Sequence, residues 1–219
     1  SINEATIRLL NRMGIEVVIS KGVGCCGALS QHIGNVNTAK DLAKTNIDSW
    51  LKDYDEGGLD HIVINTAGCG TEIKNYAHMF NDDPIYKEKA QKISYLARDI
   101  SELISEHQLP KTSLEDQPTI IYHDACSLMH GQGITQEPRK NLRSAGFEIL
   151  EIPGKHFCCG SAGSYNILQP VMANELKKQR LTSIGEIPNL DKQNIIATGN
   201  VGCLMQLRSG TDLHVAHTV

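Results

Sequence analysis

Seven cysteines are the residues of this chain best suited to chemistry, and their spacing repeats. Two Cys-Cys-Gly triplets, at Cys25-Cys26-Gly27 and Cys158-Cys159-Gly160, are each followed about forty residues later by a cysteine beside glycine, Cys69 and Cys203. Several thiolates held at fixed positions are the ligands of iron in iron–sulfur clusters. The spacing therefore predicts redox-metal chemistry.

The two halves of the chain match with almost no gaps. The Cys-Cys pairs are 133 residues apart, and Cys69 and Cys203 are 134 residues apart. The stretch 12–18 also parallels 144–150 in residue type, one position out of the cysteine offset. We infer an internal duplication.

The seventh cysteine, Cys126, has no counterpart, because the matching position would precede Ser1. We therefore expect an upstream cysteine and a truncated N-terminus, which leaves Cys25, Cys26 and Cys69 as an incomplete set in the first repeat. The second repeat keeps a full set, predicted here as the metal ligands: Cys126, Cys158, Cys159 and Cys203. About four thiolates are what one cluster requires.

Composition limits the partners and the compartment. The chain has 219 residues, of which 40% are hydrophobic, enough for a sizeable core in one body or two lobes. A formal net charge of −4 without a basic run argues against nucleic acid as a partner, and no stretch reaches the roughly eighteen apolar residues of a membrane span. Adjacent cysteines bridge poorly, so reduced thiols in the cytoplasm are expected.

Periodicity and turn residues predict helices alternating with short strands. In the first half the predicted order is helix Ala5–Met13, strand Ile15–Ser20, a helix through about Asp53, strand His61–Asn65, a helix from near Thr71, and a helical region from Pro84 to about His107. The helix before Asp53 has an apolar face made of Ala39, Leu42, Ala43, Ile47, Trp50 and Leu51.

The second half repeats this order after a proline-containing linker. Its predicted elements are strand Thr119–His123, helix Glu137–Ser144, strand Phe147–Ile152, helix Pro170–Ile184 and strand Asn194–Thr198. We therefore predict an α/β fold of two pseudo-equivalent repeats, 1–107 and 119–219, joined by a linker at 108–118. Each repeat is expected to be a small, mostly parallel sheet flanked by helices.

This arrangement gives the cysteines a common location. Cys69, Cys126 and Cys203 each follow a predicted strand by a few residues, and the Cys-Cys pairs follow strands by longer loops. Sites in open α/β sheets gather beyond the carboxyl ends of the strands. Glycines after each pair would let backbone amides approach the sulfurs, and Lys21 and Lys155 are candidates for offsetting thiolate charge, although solvated surface positions explain them equally simply.

Other interpretations remain open. An isolated cysteine is most simply a small buried hydrophobe, which explains the repeated set poorly. Structural zinc is a second interpretation, because His123, His130 and His156 lie near cysteines, although zinc prefers ligand pairs about two to four residues apart. No P-loop or Ser/His/Asp set can be singled out, so no catalytic residue is predicted. Gly131–Gly133 and Gly199–Gly202 are expected to be turns.

Further segments of the chain carry a family resemblance. They are Ala5–Arg12, Gly24–Leu29, Gly68–Lys74, His130–Gln132, Gly160–Pro170 and Ala197–Asn200. Together they resemble the CCG-domain family, named for this cysteine-rich repeat, whose members include heterodisulfide reductase subunits and electron-transfer subunits of hydroxyacid oxidases. The string Ser-Tyr-Asn-Ile-Leu-Gln-Pro at 164–170 is the most discriminating and indicates the glycolate oxidase branch.

The resemblance implies an electron relay. A flavin-containing partner subunit, carrying FAD, would oxidise glycolate to glyoxylate, and an iron–sulfur cluster, expected to be 4Fe-4S, would carry the electrons towards a membrane quinone. The chain would then be the electron-transfer subunit of an oxidoreductase complex, cytoplasmic and peripheral to the inner face of the plasma membrane. Oxidation of L- or D-lactate by a complex of the same family is the alternative within this class, and a zinc-binding scaffold is the alternative outside it.

The chain departs from part of the family at two positions. Heterodisulfide-reductase members end each repeat with Cys-x-x-Cys, whereas Thr66 and Asn200 occupy the first of these positions here. The resemblance therefore implies a four-cysteine site rather than a five-cysteine site. The family's N-terminal ferredoxin-like region has no counterpart in these residues, and relatives continue past Val219 through a short helix, which fits the expected truncation.

Overall fold

The computed structural model describes residues 1–107, 109, 117–154 and 157–219. Helices and short strands alternate along the first repeat: α1 (Ile2–Arg12), α2 (Ala28–His32), α3 (Val36–Gly57), β1 (Ile62–Ile64), α4 (Ala67–Lys74), α5 (Tyr76–Met79), α6 (Lys87–Leu96), β2 (Ala97–Asp99) and α7 (Ile100–Glu106). The second repeat contains β3 (Ile120–Tyr122), a π-helix (Ser127–Gly131), α8 (Glu137–Ser144), β4 (Ile149–Glu151), α9 (Tyr165–Leu168), α10 (Pro170–Gly185), β5 (Ile195–Thr198), α11 (Val201–Arg208) and β6 (His214–His217).

All strand pairs are parallel. The second repeat has a four-stranded sheet in the order β4-β3-β5-β6, and the first has a two-stranded sheet of β1 and β2. Parallel neighbours need long crossovers, which helices supply here: α8 joins β3 to β4, α10 lies between β4 and β5, and α11 joins β5 to β6. The predicted α/β class, with a small parallel sheet flanked by helices in each repeat, is confirmed.

The predicted strand Ile15–Ser20 is wrong. Its counterpart in the second repeat is β4, which pairs with β3. The position equivalent to β3 in the first repeat would precede Ser1, so residues 15–20 pair with no strand among those that the structure describes. Without a ladder partner the segment forms no sheet, whatever its residue pattern.

The helical region predicted from Pro84 to His107 is interrupted. Residues 97–99 form β2, which pairs with β1 in the register Ile62 to Ala97, and α6 and α7 lie on either side of it. Asp99 ends the strand and caps α7, where its side chain accepts hydrogen bonds from Ser101. The final strand, β6, was not predicted at all.

Two helices begin earlier than predicted. Cys69 lies in the first turn of α4, which starts at Ala67 rather than near Thr71, and Cys203 occupies the equivalent place in α11. The predicted turn at 199–202 is therefore wrong in its second half. Helices starting directly after β1 and β5 bring both cysteines close to the sheet edge.

The longest helix, α3, has the predicted buried face. Ala39, Ala43 and Ile47 are fully buried and Trp50 nearly so, against β1 and α6. Asn35 caps its start and Gly58 follows its end. None of the described helices combines the length and apolarity that crossing a bilayer demands.

The two repeats pack directly on each other through α4 against the π-helix and α7 against α8. Asn141 Nδ2 donates to Ser101 O (2.8 Å), and Ser105 Oγ donates to Asn141 Oδ1 (2.9 Å). Gln132 Nε2 donates to Ala67 O at 3.0 Å. The predicted linker lies for the most part outside the described residues, and the predicted domain boundaries remain a prediction.

Candidate metal centre

The strand order brings four cysteines to one edge. Cys126 follows β3, Cys158 and Cys159 follow β4, and Cys203 follows β5, and these three parallel strands are neighbours. Their carboxyl ends therefore meet at the same edge of the sheet. Cys159 and Cys203 are buried, and Cys126 and Cys158 are partly accessible.

The four sulfurs form a continuous series of contacts. A hydrogen bond to Cys158 raises the pKa of Cys126, and contacts with Cys158 and Cys203 raise the pKa of Cys159. The partners shift the other way: contact with Cys126 lowers the pKa of Cys158, and contact with Cys159 lowers that of Cys203. Two thiols thus alternate with two thiolates, the form that metals bind, and metal binding would release the remaining protons.

Backbone and side-chain donors surround these sulfurs. Gly160 N donates to Cys158 Sγ at 3.3 Å, the approach of a backbone amide predicted for this glycine. Asn200 Nδ2 donates to Cys203 Sγ at 3.3 Å. Hydrogen bonds to sulfur ligands favour the negatively charged state and are one means by which proteins set reduction potentials.

Gly160 is required by the close packing of this loop. Its φ is +89°, and a Cβ there would overlap the carbonyl oxygen of Ala173 in α10. Gly27 in the first repeat has the same φ, and a Cβ would lie 2.9 Å from Ala39 O. Only glycine combines this left-handed backbone with so close an approach, which explains the third residue of each Cys-Cys-Gly triplet.

A buried histidine stands beside the cysteines. His123, at the end of β3, is 1% exposed, and one of its ring nitrogens lies within 4.8 Å of the Cys159 and Cys203 sulfurs. Arg180 Nε donates to His123 Nδ1 at 3.0 Å. Because a guanidinium only donates, Nδ1 must accept, and the proton of the neutral imidazole is on Nε2.

Arg180 itself is fully buried in α10. Its Nη1 donates to Gly154 O at 2.9 Å in the loop that leads to Cys158, and no carboxylate lies in ion-pair range among the described residues. Burial lowers the pKa of Arg180, whereas the nearby Asp124, Cys159 and Cys203 oppose that shift. A buried cation normally has a paired anion, and the cysteine thiolates are the negative groups nearest to hand.

These orphaned polar atoms fit an anionic group bound between the cysteines. Arg180 Nη2 and His123 Nε2 are buried and make no regular hydrogen bond to a described residue. Buried polar atoms without partners are rare in native proteins. The donor set of four sulfurs is suited to iron with sulfide, and the cation beside it would balance the charge of such a group.

An ion-pair network holds the loop before Cys126. Arg139 of α8 makes a bidentate contact with Asp124 (2.7 and 2.6 Å) and also binds Glu151 at the end of β4. The Arg139 guanidinium lies 4.6 Å from the centre of the Tyr122 ring. Burial alone would lower the pKa of Arg139, but its hydrogen bonds to Glu151 and Asp124 raise it. The network ties β3 and β4 together next to the cysteines.

The first repeat brings together only part of its set. A hydrogen bond to Cys69 raises the pKa of Cys26 and lowers that of Cys69, whereas Cys25 is exposed. Asn46 Nδ2 donates to Cys25 O (3.0 Å), and Tyr76 Oη donates to Cys26 O (2.8 Å). The loop is held, but three sulfurs fall short of the four in the second repeat.

Sequence reasoning missed Arg180, Asn46 and Tyr76. The signal that could have found the first two is the duplication, because Asn46 and Arg180 are 134 residues apart and each binds the loop before its Cys-Cys pair. Of the other residues singled out, Lys21 and His130 are exposed, away from a ligand role, and Lys155 and His156 lie outside the described residues.

Comparison with known proteins gives the same picture. The chain is 34% identical over 217 residues to the glycolate oxidase iron-sulfur subunit of Escherichia coli (strain K12), covering 99% of this chain and 52% of that protein. It is 34% identical over 214 residues to the probable glycolate oxidase iron-sulfur subunit of Bacillus subtilis (strain 168), covering 96% and 46%. The chain thus spans about half the length of these two relatives.

A third relative has a different name. Lactate utilization protein A of Bacillus velezensis is 26% identical over 218 residues, covering 97% of this chain and 86% of that protein. The profile of the cysteine-rich (CCG) domain matches residues 1–74 and 120–208, which contain all seven cysteines. The chain is therefore a member of the CCG cysteine-rich domain family, related to iron–sulfur subunits of oxidases.

Proposed function

We propose that the chain is the electron-transfer part of the iron–sulfur subunit of a glycolate oxidase complex. Electrons would come from a flavin-containing partner subunit that oxidises glycolate to glyoxylate and would pass towards a membrane quinone. Cys126, Cys158, Cys159 and Cys203 would hold the iron of one cluster, taken here as 4Fe-4S. The name of the relatives at 34% identity supports this assignment.

The convergence of four cysteines at one sheet edge is the observation on which the proposal rests. The sulfurs contact one another in series, two are already thiolates, and a buried arginine without a carboxylate partner lies beside them. A structural role for buried cysteines would need neither the thiolates nor the buried cation.

A bound cluster would supply reversible one-electron chemistry, which divides the two electrons of a hydroxyacid oxidation into single transfers. The residues of this chain hold and tune that centre rather than touch substrate. Gly160 N and Asn200 Nδ2 donate to the ligand sulfurs, and Arg180 offsets their charge. The two protons released at the flavin need no acceptor in this chain.

The first test is anaerobic analysis of iron, acid-labile sulfide and zinc. Wild-type chain is compared with Cys158→Ser, which removes a predicted ligand, and with Cys25→Ser, which removes the exposed cysteine of the first repeat. We expect iron and sulfide in near-equal amounts in the wild type and in Cys25→Ser, and a loss of both in Cys158→Ser.

Two results would contradict the proposal. Iron that persists in Cys158→Ser would place the ligands elsewhere, and a wild-type chain with neither iron nor sulfide after reconstitution would remove the basis for an electron relay.

Lactate is the alternative substrate, favoured by the relative that the chain matches over most of its length. Steady-state oxidation of glycolate, L-lactate and D-lactate by the reconstituted complex separates the two. A preference for either lactate isomer would replace glycolate in the proposal and leave the relay unchanged.

Zinc in a scaffold protein is the alternative cofactor, favoured by the buried group of His123, Cys159 and Cys203. Its signature in the same analysis is zinc without sulfide in a colourless protein. The adjacent Cys158 and Cys159 are awkward ligands for a single tetrahedral ion, which is why iron is preferred.

A further inference from the structure

Asn200 contacts the metal centre and the other repeat with the same carboxamide. It precedes α11, and its Nδ2 donates to Cys203 Sγ at 3.3 Å. Its Oδ1 accepts from Gly68 N at 3.4 Å, in the first turn of α4 and next to Cys69. One side chain therefore links the cysteine helices of the two repeats.

The orientation of this carboxamide is set by the first repeat. Gly68 N is among the first amides of α4, which have no acceptor within their own helix. Beside it, Ala67 N donates to Gly199 O at 3.1 Å, which fixes the backbone that carries Asn200. With Oδ1 occupied by a donor, the NH₂ group has to face the Cys203 sulfur.

The behaviour of Asn200 is not that of an ordinary helix cap. Asparagine before a helix usually accepts from an amide of that helix, but the Asn200 side chain makes no such bond to α11. The equivalent residue before α4 is Thr66, which has no carboxamide. The bridge therefore exists in one direction only, from the first repeat to the four-cysteine centre.

We propose that Asn200 is a positioning residue that raises the reduction potential of the centre in the second repeat, with its amide held in place by the backbone of the first repeat. The inference rests on the proposed function, because the potential belongs to iron bound by Cys203. A hydrogen bond to a ligand sulfur stabilises the reduced, more negative state.

The experiment compares Asn200→Asp, Asn200→Ala and Asn141→Asp in the full chain reconstituted anaerobically with iron and sulfide. Asn200→Asp keeps the acceptor for Gly68 N but replaces the donor to sulfur with an oxygen, and Asn200→Ala removes both groups. Asn141 is the matched control, since its carboxamide also joins the two repeats through Ser101 and Ser105 and no hydrogen bond joins it to a cysteine sulfur.

The readouts are the midpoint potential of the centre, its iron content, and hydrogen exchange of the Gly68 amide. We expect both Asn200 variants to retain iron and to shift the midpoint to more negative values, with Asn141→Asp at the wild-type value. Exchange of the Gly68 amide should accelerate in Asn200→Ala and stay close to wild type in Asn200→Asp.

The inference is overturned by an unchanged midpoint in both loaded Asn200 variants, while the proposed function would stand. Loss of iron from both, with Asn141→Asp fully loaded, also overturns it, because Asn200 would then be needed for binding rather than for the potential. A wild-type chain that binds no iron refutes the proposed function and the tuning with it. Wild-type exchange at Gly68 in Asn200→Ala overturns the bridge whatever the iron result.

Discussion

Arg180 matters as a buried charge, and its substitution should weaken metal retention. Loss of second-shell partners typically lowers metal affinity by roughly 10- to 100-fold. We expect a loss of that size in Arg180→Met, which removes both the cation and the hydrogen bond to His123. Arg180→Lys keeps the charge without the planar set of donors and should lose less. Anaerobic competition with an iron chelator measures the affinity.

The control for this substitution is Arg143→Met. Arg143 lies on α8 with its side chain 56% exposed, so its charge is solvated. Iron affinity in this variant should equal that of the wild type. An Arg180→Met variant that matched Arg143→Met would show that the buried cation does not compensate the charge of the centre.

Asp99 gives the chain a pH-dependent stability. Burial raises the pKa of this carboxyl above its usual value, against the hydrogen bonds from Ser101. A carboxyl with a raised native pKa binds its proton more tightly in the folded state, so its contribution to stability is lost as pH rises through that pKa. Asn at this position keeps the Oδ1 acceptor for Ser101. We therefore expect Asp99→Asn to gain stability relative to wild type as the pH rises.

Urea unfolding of both proteins at about pH 4 and about pH 7 measures this difference. Asp99→Ala serves as the comparison, because it loses the helix cap and should cost about 1 kcal/mol at either pH. A constant difference between Asp99→Asn and wild type would mean that the carboxyl does not titrate differently in the folded state.

At the level of single residues, the sequence predicted the cysteines far better than their surroundings. Spacing alone placed Cys126, Cys158, Cys159 and Cys203 together, because they follow strands and parallel strand ends meet. Arg180 could not be recognised, since an arginine in a helix is most simply solvated. Its burial depends on the position of His123 across the sheet, which is a tertiary fact.

Among the elements, the loops that carry the Cys-Cys pairs depend on glycine. Gly160→Ala would force a side chain into the left-handed region and against the Ala173 carbonyl. The strain and the overpacking together should lower the free energy of unfolding by about 2 to 5 kcal/mol. Gly133 is the matched control, with φ +71° and nothing within 4 Å of its Cβ position. Denaturant unfolding compares the two variants.

Gly133→Ala should cost only the backbone strain, about 1 to 2 kcal/mol. The excess loss in Gly160→Ala then measures the contact between the loop and α10. Equal losses in the two variants would show that the loop moves away from Ala173 at no cost and that the close approach is not needed.

Element boundaries show why periodicity reached its limit. Helix α8 was predicted to the residue, since proline and polar neighbours mark its start. Strand β2 has three residues, Ala97 to Asp99, without the β-branched or aromatic run that signals a strand. It exists because β1 offers an edge beside it. Residues 15–20 show the converse, because a strand-like pattern forms no sheet without a neighbour.

At the scale of the whole molecule, the duplication explains both likeness and difference. Each repeat places a Cys-Cys-Gly loop against an alanine of the following helix, and each clamps that loop from a position 134 residues apart, Asn46 or Arg180. The clamp is neutral where three cysteines are present and cationic where four converge. The charge of the clamp therefore follows the number of thiolates.

The contact between the repeats should behave as one energetic unit. A Cβ at Gly131, in the π-helix, would lie 2.8 Å from both Cγ2 and Oγ1 of Thr71 in α4, whose hydroxyl donates to Ser127 O. Gly131→Ala should therefore cost about 1 to 3 kcal/mol by overpacking, and Thr71→Ala about 1 kcal/mol through the lost hydrogen bond. Because Thr71→Ala also removes the overlapping atoms, the double variant should lose less than the two single losses combined, by at least about 0.5 kcal/mol. Urea unfolding of the four proteins gives this coupling energy. Strict additivity would mean that α4 and the π-helix separate when Gly131 is enlarged, so that the repeats do not share a rigid interface at this point.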